Sequence, residues 1–316
     1  MAGSSRIWDI LSGQAMRIGI DVGGTKIEAI ALDRDGKTCL RRRQPTPSGD
    51  YEGTVRAIAG LARAVEAELG ATASIGIGIP GSLAPESGWV RNANSTCLNG
   101  RPLKSDLETA LGREVRIAND ANCFALSEAI DGAGANAAVV FGAILGTGVG
   151  GGIAVGGKIL EGRNRIAGEW GHTPLPRLNG LEGPVPECWC GRRGCIESFL
   201  SGPGLTRDHA AHGGHGANAW DIARAADDGD EASVATLARY EERLARALAV
   251  VINVLDPGTI VLGGGISNIS RLYRNVPRLW QPHVFADRIE TALEPPAHGD
   301  SSGVRGAAWL WPGAPG

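Results

Sequence analysis

Residues 188–195 read Cys-Trp-Cys-Gly-Arg-Arg-Gly-Cys, a stretch carrying three of the chain's six cysteines, and Glu169-Trp170-Gly171-His172 precedes it. Three thiolates and an imidazole form a Cys3His set, the donor types and number that suit tetrahedral Zn2+. Gly191 and Gly194 let the backbone bend back, so that Cys188, Cys190 and Cys195 can converge with His172 on one ion. The alternatives are three thiols that merely lie close, or a disulfide, which would leave one cysteine over. Glu169 and Glu197 flank the cluster, so a metal here would fix two carboxylates and a histidine in one place, as in a substrate pocket with a structural clamp.

Glycine-rich turns supply a second chemistry. In Asp21-Val22-Gly23-Gly24-Thr25-Lys26, the two glycines let backbone N–H groups approach phosphate oxygens. Thr25 can add a hydroxyl and Lys26 a point charge, and Asp21 can hold Mg2+ through water. Taken alone the segment reads equally as an ordinary Gly-Gly hairpin. The same arrangement recurs at Val139–Lys158: a strand, then Gly146-Thr147-Gly148-Val149-Gly150, a second strand Gly151–Val155 and a tight Gly156-Gly157 turn. Two copies favour phosphate binding. Neither is a Walker A loop, which ends in Gly-Lys-Ser/Thr and opens a helix, and neither leads into the crossover helix of a dinucleotide-binding fingerprint. Gly263-Gly264-Gly265 follows a third strand, where adenine or ribose could lie on the backbone; a helix-entry turn explains it as well. Asn119-Asp120-Ala121-Asn122 stands where a strand meets a helix, which suits Asp120 either to general-base work or to capping.

The elements that must position these residues follow from periodicity. Strands are predicted at Arg17–Asp21, Ile27–Asp33, Ser74–Ile79, Glu114–Ala118, Val139–Leu145 and Thr259–Leu262. Helices are predicted over Asp50–Leu69, from Asp120 or Ala121 to Ile130, and over Asp230–Leu255, where Asp256-Pro257-Gly258 stops the last. Leu178–Glu187 and Ala210–Asn218 read as mobile loops. The duplicated supersecondary unit implies a duplicated α/β domain with a cleft between the halves.

At 316 residues and 43% hydrophobic content, the chain can build two domains of ordinary size. Its net charge of −3 offers no basic field for nucleic acid or an anionic membrane. No apolar run approaches the roughly 18–20 residues of a membrane helix. Met1–Ala15 lacks the marks of a signal peptide and reads as a disordered extension, with a natural start expected near Met16. Cys39, Cys97 and Cys123 read as buried free thiols, and the expected compartment is the reducing cytoplasm.

From Met16 to Trp311 the chain resembles ROK-family sugar kinases, through Asp21–Lys26, Asn119–Asn122, Leu145–Lys158, Glu169–His172 and Cys188–Glu197. Gly78–Thr96 and His298–Trp309 are similar to bacterial fructokinases of the manno(fructo)kinase type, although Cys97 stands where a tryptophan is expected. The resemblance implies an actin-like ATPase (ribonuclease H-like) fold, with a small domain over 16–119 plus about 299–316 and a large one over 120–298. It implies Asp120 as general base, with Asn94, Asn119, Asp120, Glu169, His172 and Glu197 around the sugar. It implies Asp21, Gly23, Gly24, Thr25, Lys26, Gly146, Thr147, Gly148, Gly264 and Gly265 around MgATP, and structural Zn2+ on His172, Cys188, Cys190 and Cys195. The implied reaction is phosphorylation of a hexose 6-hydroxyl, fructose first and mannose second, by a homodimer. N-acetylglucosamine, N-acetylmannosamine or glucose are the alternative acceptors. A sugar-responsive DNA-binding regulator is disfavoured, because fifteen residues before the first strand are too few for a helix-turn-helix domain.

Overall fold

The computed structural model describes residues 16–176, 184–215 and 218–311. The extension expected at 1–15, residues 178–183 of the loop expected at 178–187 and residues 216–217 of the loop expected at 210–218 lie outside the described residues. The chain divides into two units. One comprises the described residues up to Asp131, with Ile159–Ala167 and the residues from Ser301; the other comprises Gly132–Lys158 and Gly168–Asp300.

In the first unit, β1 (Arg17–Val22) and β2 (Lys26–Leu32) form an antiparallel hairpin, and β3 (Thr38–Pro45) extends it as an edge strand. Three successive arginines, Arg41 to Arg43, charge that edge, which discourages pairing with another chain. Cys39 lies on β3 and is exposed rather than buried. Helix α1 (Tyr51–Leu69) starts where the Asp50 carboxylate accepts from Gly53 N at 2.8 Å and stops at Gly70, which sits at φ 64°. Its Ile58, Leu61, Ala62 and Val65 share a core with Ile18 and Ile20 of β1 and with Ile75, Ile77 and Ile79 of β4 (Ser74–Ile79). Strands β5 (Ser82–Leu83) and β6 (Val90–Arg91) form a short hairpin, followed by α2 (Leu103–Leu111), β7 (Arg116–Asn119) and α3 (Asp120–Ile130). The five-stranded sheet has the order β3-β2-β1-β4-β7.

The opposite face of this sheet is made of small residues. Gly19 pairs with Gly76 in the parallel register of β1 and β4. A Cβ on Gly19 would lie 2.0 Å from Val304 O, and one on Gly76 would lie 1.8 Å from Ala307 O. The C-terminal helix Ser302–Ala308 therefore rests directly on sheet backbone. Gly306 brings the same helix onto α3, where a Cβ would meet Cys123 O at 1.6 Å. Ser302 Oγ donates to Glu128 Oε1 at 2.6 Å, and Arg305 pairs with Asp131. These contacts hold α3 in the first unit, so the division falls after Asp131 rather than at Asn119. Gly306→Ala is expected to lower stability by about 3 kcal/mol, the upper end of overpacking costs, because backbone rather than a movable side chain blocks the new methyl. A urea-unfolding midpoint within error of wild type would contradict this packing.

The second unit repeats the topology. Strands β8 (Val139–Leu145) and β9 (Val149–Val155) form an antiparallel hairpin, extended by β10 (Lys158–Ile159). Short helices α4 (Glu197–Leu200), α5 (Gly202–Ala211) and α6 (Ala219–Asp227) precede the long α7 (Glu231–Leu255). Helix α5 covers Ala210 and Ala211, which the sequence placed in a loop. The Asp230 carboxylate caps α7 by accepting from Ser233 N, and Leu237, Tyr240, Leu244 and Leu248 bury it against Ile260 and Leu262 of β11 (Thr259–Gly263). Helix α8 (Leu272–Leu279) and β12 (Ala292–Glu294) complete an order of β10-β9-β8-β11-β12. A hairpin followed by two parallel strands thus occurs in both sheets, the duplicated ribonuclease H-like architecture of actin-like ATPases.

Candidate functional site

The expected site residues fall into two sets, one per unit. In the first, Asp21 stands near the end of β1, and the turn after it is closed by Gly23 N donating to Lys26 O at 3.0 Å. Thr46 clamps the loop from β3: its N donates to Thr25 O at 3.0 Å, and its Oγ1 donates to Gly23 O at 2.7 Å. Gly24 faces the 92–96 segment, with Ser95 Oγ 3.9 Å from where a Cβ would stand. Thr25, Lys26 and Asn94 are exposed. Lys26 Nζ lies 3.8 Å from the buried carboxylate of Glu28. The backbone beside Asn94 is fixed by Asn99, whose amide accepts from Ala93 N and donates to Ala93 O, both at 2.9 Å.

Asn119, and not Asp120, caps α3. Its Oδ1 accepts from Ala121 N at 2.9 Å and from Asn122 N at 3.3 Å, and its Nδ2 donates to Gly81 O at 2.9 Å. Both ends of this amide take part in the local fold. Asp120 is the first helical residue and is exposed, and its Oδ1 accepts from Ala121 N at 2.8 Å.

Asp21 is different. Burial, then the negative charges of Asp120 and Glu28, push its carboxyl up to about 7, against the opposing pull of Lys26. Its Oδ1 and Cys123 Sγ flank Gly78, at 3.5 and 3.4 Å from where a Cβ would stand. Because the folded value exceeds the unfolded one, the protonated carboxyl favours the fold. That contribution is present in acid and is lost as pH rises through about 7. Mg2+ requires the charged form, so Mg2+ affinity measured by calorimetry with ADP present is expected to rise from pH 6 and level off above about 7. Asp21→Asn should abolish that rise and raise the metal-free melting temperature at pH 8. A flat Mg2+ profile in the wild type would refute the assignment.

In the second unit, Gly146–Gly148 joins β8 to β9, with Gly146 N donating to Gly148 O at 3.0 Å. Gly202 N, at the start of α5, donates to Gly146 O at 2.8 Å. Gly264 has φ 79°, and a Cβ there would lie 2.4 Å from Leu145 O, so the Gly264-Gly265 turn runs against the base of this loop. Gly148 is pressed by Glu197, whose Oε2 would lie 2.8 Å from a Cβ and accepts from Val149 N at 2.9 Å. The segment holding Glu169 and His172 lies along β9: Trp170 Nε1 donates to Gly150 O at 2.8 Å, and Trp170 packs edge-on against Phe141. The Glu169 side chain is exposed.

His172, Cys188, Cys190 and Cys195 converge, and their ligand atoms all lie within 4.8 Å of one another. Cys188 Sγ is 3.6 Å from His172 Nδ1, and Cys190 Sγ is 3.7 Å from Cys195 Sγ. A zinc tetrahedron with bonds of about 2.3 Å has edges of about 3.8 Å, so the donor set fits. All three cysteines are free thiols, which removes the disulfide alternative. Burial raises the Cys188 thiol and pushes Cys195 up to about 12, while the Arg192 backbone N–H holds Cys190 below its ordinary value. The sequence did not single out Trp189. Its indole N–H donates to Glu197 Oε1, and its ring meets His172 edge-on at 5.1 Å between centroids.

Among the described residues no helix is long and apolar enough to cross a membrane. The family model described as "ROK family" matches residues 17–314. An N-acetyl-D-glucosamine kinase of Vibrio cholerae serotype O1 is 42% identical over 300 residues, covering 93% of this chain and 99% of that protein. One of Yersinia pseudotuberculosis serotype O:1b is 41% identical, covering 93% and 98%. Among solved structures, the ROK hexokinase from Thermus thermophilus aligns with a TM-score of 0.82 at 30% identity, covering 93% of this chain and 96% of that one. The repeated topology, the paired glycine-rich loops and the Cys3His cluster all lie within the matched span, and the chain belongs to the ROK family.

Proposed function

We propose that the chain transfers the γ-phosphoryl of MgATP to the 6-hydroxyl of N-acetyl-D-glucosamine. ATP-dependent sugar phosphorylation rests on the family, and the acceptor rests on one observation: curated relatives 40–42% identical over nearly the whole chain are N-acetyl-D-glucosamine kinases. That observation replaces fructose, which the stretches 78–96 and 298–309 suggested. The phosphate loops, the base and the cysteine cluster serve every acceptor alike, whereas acceptor choice turns on a few contacts of about 1–3 kcal/mol each. Motif spacing therefore carries the reaction and not the sugar.

Asp120 accepts the proton of the attacking hydroxyl as its oxygen bonds to phosphorus and the bond to the ADP oxygen breaks. Glu169, His172 and Glu197 bind sugar hydroxyls. The glycine-rich segments Gly23–Lys26 and Gly146–Gly148 would each supply N–H groups to phosphate oxygens, and Asp21 would hold Mg2+ through water, so that charge developing on the phosphoryl oxygens would meet hydrogen-bond donors. His172, Cys188, Cys190 and Cys195 would hold Zn2+, whose four protein ligands leave no open position, so the ion's contribution is structural. Incubation of the protein with MgATP and N-acetyl-D-glucosamine should give one 31P signal coupled to the C6 protons. Coupling to any other carbon's protons, or ADP without a sugar phosphate, would refute the reading.

A further inference from the structure

Trp189 is 75% exposed, yet its position is closely defined. It stands between two candidate zinc ligands, Cys188 and Cys190, so ion binding pins its backbone on both sides. Its indole N–H is given to Glu197 Oε1, while the other oxygen of that carboxylate accepts from Val149 N at 2.9 Å, at the end of the second glycine-rich loop. Cys188 Sγ also approaches Glu197 Oε1, at 3.9 Å. A continuous path thus runs from the loop through Val149, Glu197 and Trp189 to the cysteine cluster. A carboxylate on a four-residue helix would otherwise be free to rotate; with one donor on each oxygen it has one orientation.

We propose that Trp189 is a positioning residue that transmits order in the cysteine–histidine cluster to the Glu197 carboxylate, and so sets affinity for the sugar. The inference rests on the proposed role of Glu197 as a sugar ligand. The exposed indole is then retained for its N–H and its fixed place between two ligands rather than for core packing, since most of its surface faces solvent.

The decisive variant is Trp189→Phe, which keeps an aromatic side chain beside His172 and removes the N–H together with the five-membered ring that carries it. Loss of an interaction made equally in the ground and transition states raises KM without lowering kcat. Trp189→Phe should therefore retain the wild-type zinc content and melting temperature, raise the KM for N-acetyl-D-glucosamine fivefold or more, and shift kcat and the KM for MgATP less than twofold. A sugar KM within twofold of wild type would overturn the proposal. So would a joint loss of zinc, stability and kcat, which would mark a merely structural tryptophan. A second readout needs no turnover. The chain has eight tryptophans, and the 15N-indole signal absent from Trp189→Phe belongs to Trp189. That signal should move in Glu197→Gln and on chelation of the metal. If it moves although no sugar is phosphorylated, the coupling stands and the acceptor assignment falls; if it stays in place, the coupling itself is wrong.

Discussion

Asp120→Asn is expected to leave N-acetyl-D-glucosamine binding within a few-fold of wild type and to cut turnover by about 10²–10⁴, the loss that follows removal of a general base. The amide keeps the shape of the carboxylate, and helix α3 does not depend on it, because Asn119 supplies the cap. The variant should therefore unfold at the wild-type temperature, so reduced turnover would report chemistry and not folding. The position is chemically suited to the role: the carboxylate is exposed at the start of α3. Asp21, the other acid of this region, is pushed up to about 7 by burial and by the charges of Asp120 and Glu28, so it is only partly ionised at neutral pH and its hold on a cation strengthens as pH rises. Sugar binding measured by calorimetry and turnover measured by ADP release separate the two effects. Near-normal turnover in folded Asp120→Asn would remove Asp120 from the mechanism.

Cys190→Ser is the second large effect. It replaces one of four converging donors, and its neighbours in the knuckle, Gly191 and Arg192, hold the turn through Cys188 O and Cys188 N. Without the ion the three buried or half-buried thiols and His172 have little else to organise them. The variant is expected to lose zinc and to be destabilised by upwards of about 4 kcal/mol, the range associated with a lost metal or disulfide. At roughly 2–4 °C per kcal/mol for a chain of this size, that is a fall of about 8–16 °C in melting temperature. Metal analysis alongside calorimetry checks it. Freshly purified wild type without zinc, or a variant that melts like wild type, would contradict a structural metal.

Much of the fold was legible because its signals are local and repeated. Ser74–Ile79 alternates glycine with isoleucine, and the structure uses both halves of that pattern: the isoleucines share a core with α1, Gly76 admits the C-terminal helix and Gly78 faces Cys123 of α3. The recurrence of Gly23–Lys26 at Gly146–Gly148 disclosed the duplication that the two strand orders display. Edge strand β3 gave no such signal, since Thr-Cys-Leu-Arg-Arg-Arg-Gln-Pro has no apolar alternation, and beyond the backbone ladder it is tied to β2 by Arg41 and Arg43 pairing with Glu28. The first unit's extent was hidden as well, because it depends on Gly306 meeting Cys123 O across a distance in sequence that no local pattern encodes.

Within the site, residue types were readable and partners were not. The converging cysteines and His172 followed from spacing, whereas the choice between Asn119 and Asp120 as the cap depends on which side chain reaches Ala121 N and Asn122 N. Nothing in the sequence marks Trp189, whose N–H meets Glu197 only in the fold. The acceptor sugar was not legible for a related reason. The motifs that carry phosphoryl transfer suit many hexoses, and acceptor choice turns on a few contacts that motif spacing does not rank.

The most direct test is the initial rate of ADP release from MgATP with N-acetyl-D-glucosamine, N-acetyl-D-mannosamine, glucose, mannose and fructose in parallel. The account predicts the highest kcat/KM for N-acetyl-D-glucosamine, by at least about tenfold over fructose, which corresponds to one or two selective contacts. Fructose ranking first, or no turnover with any sugar in zinc-loaded protein, would contradict it.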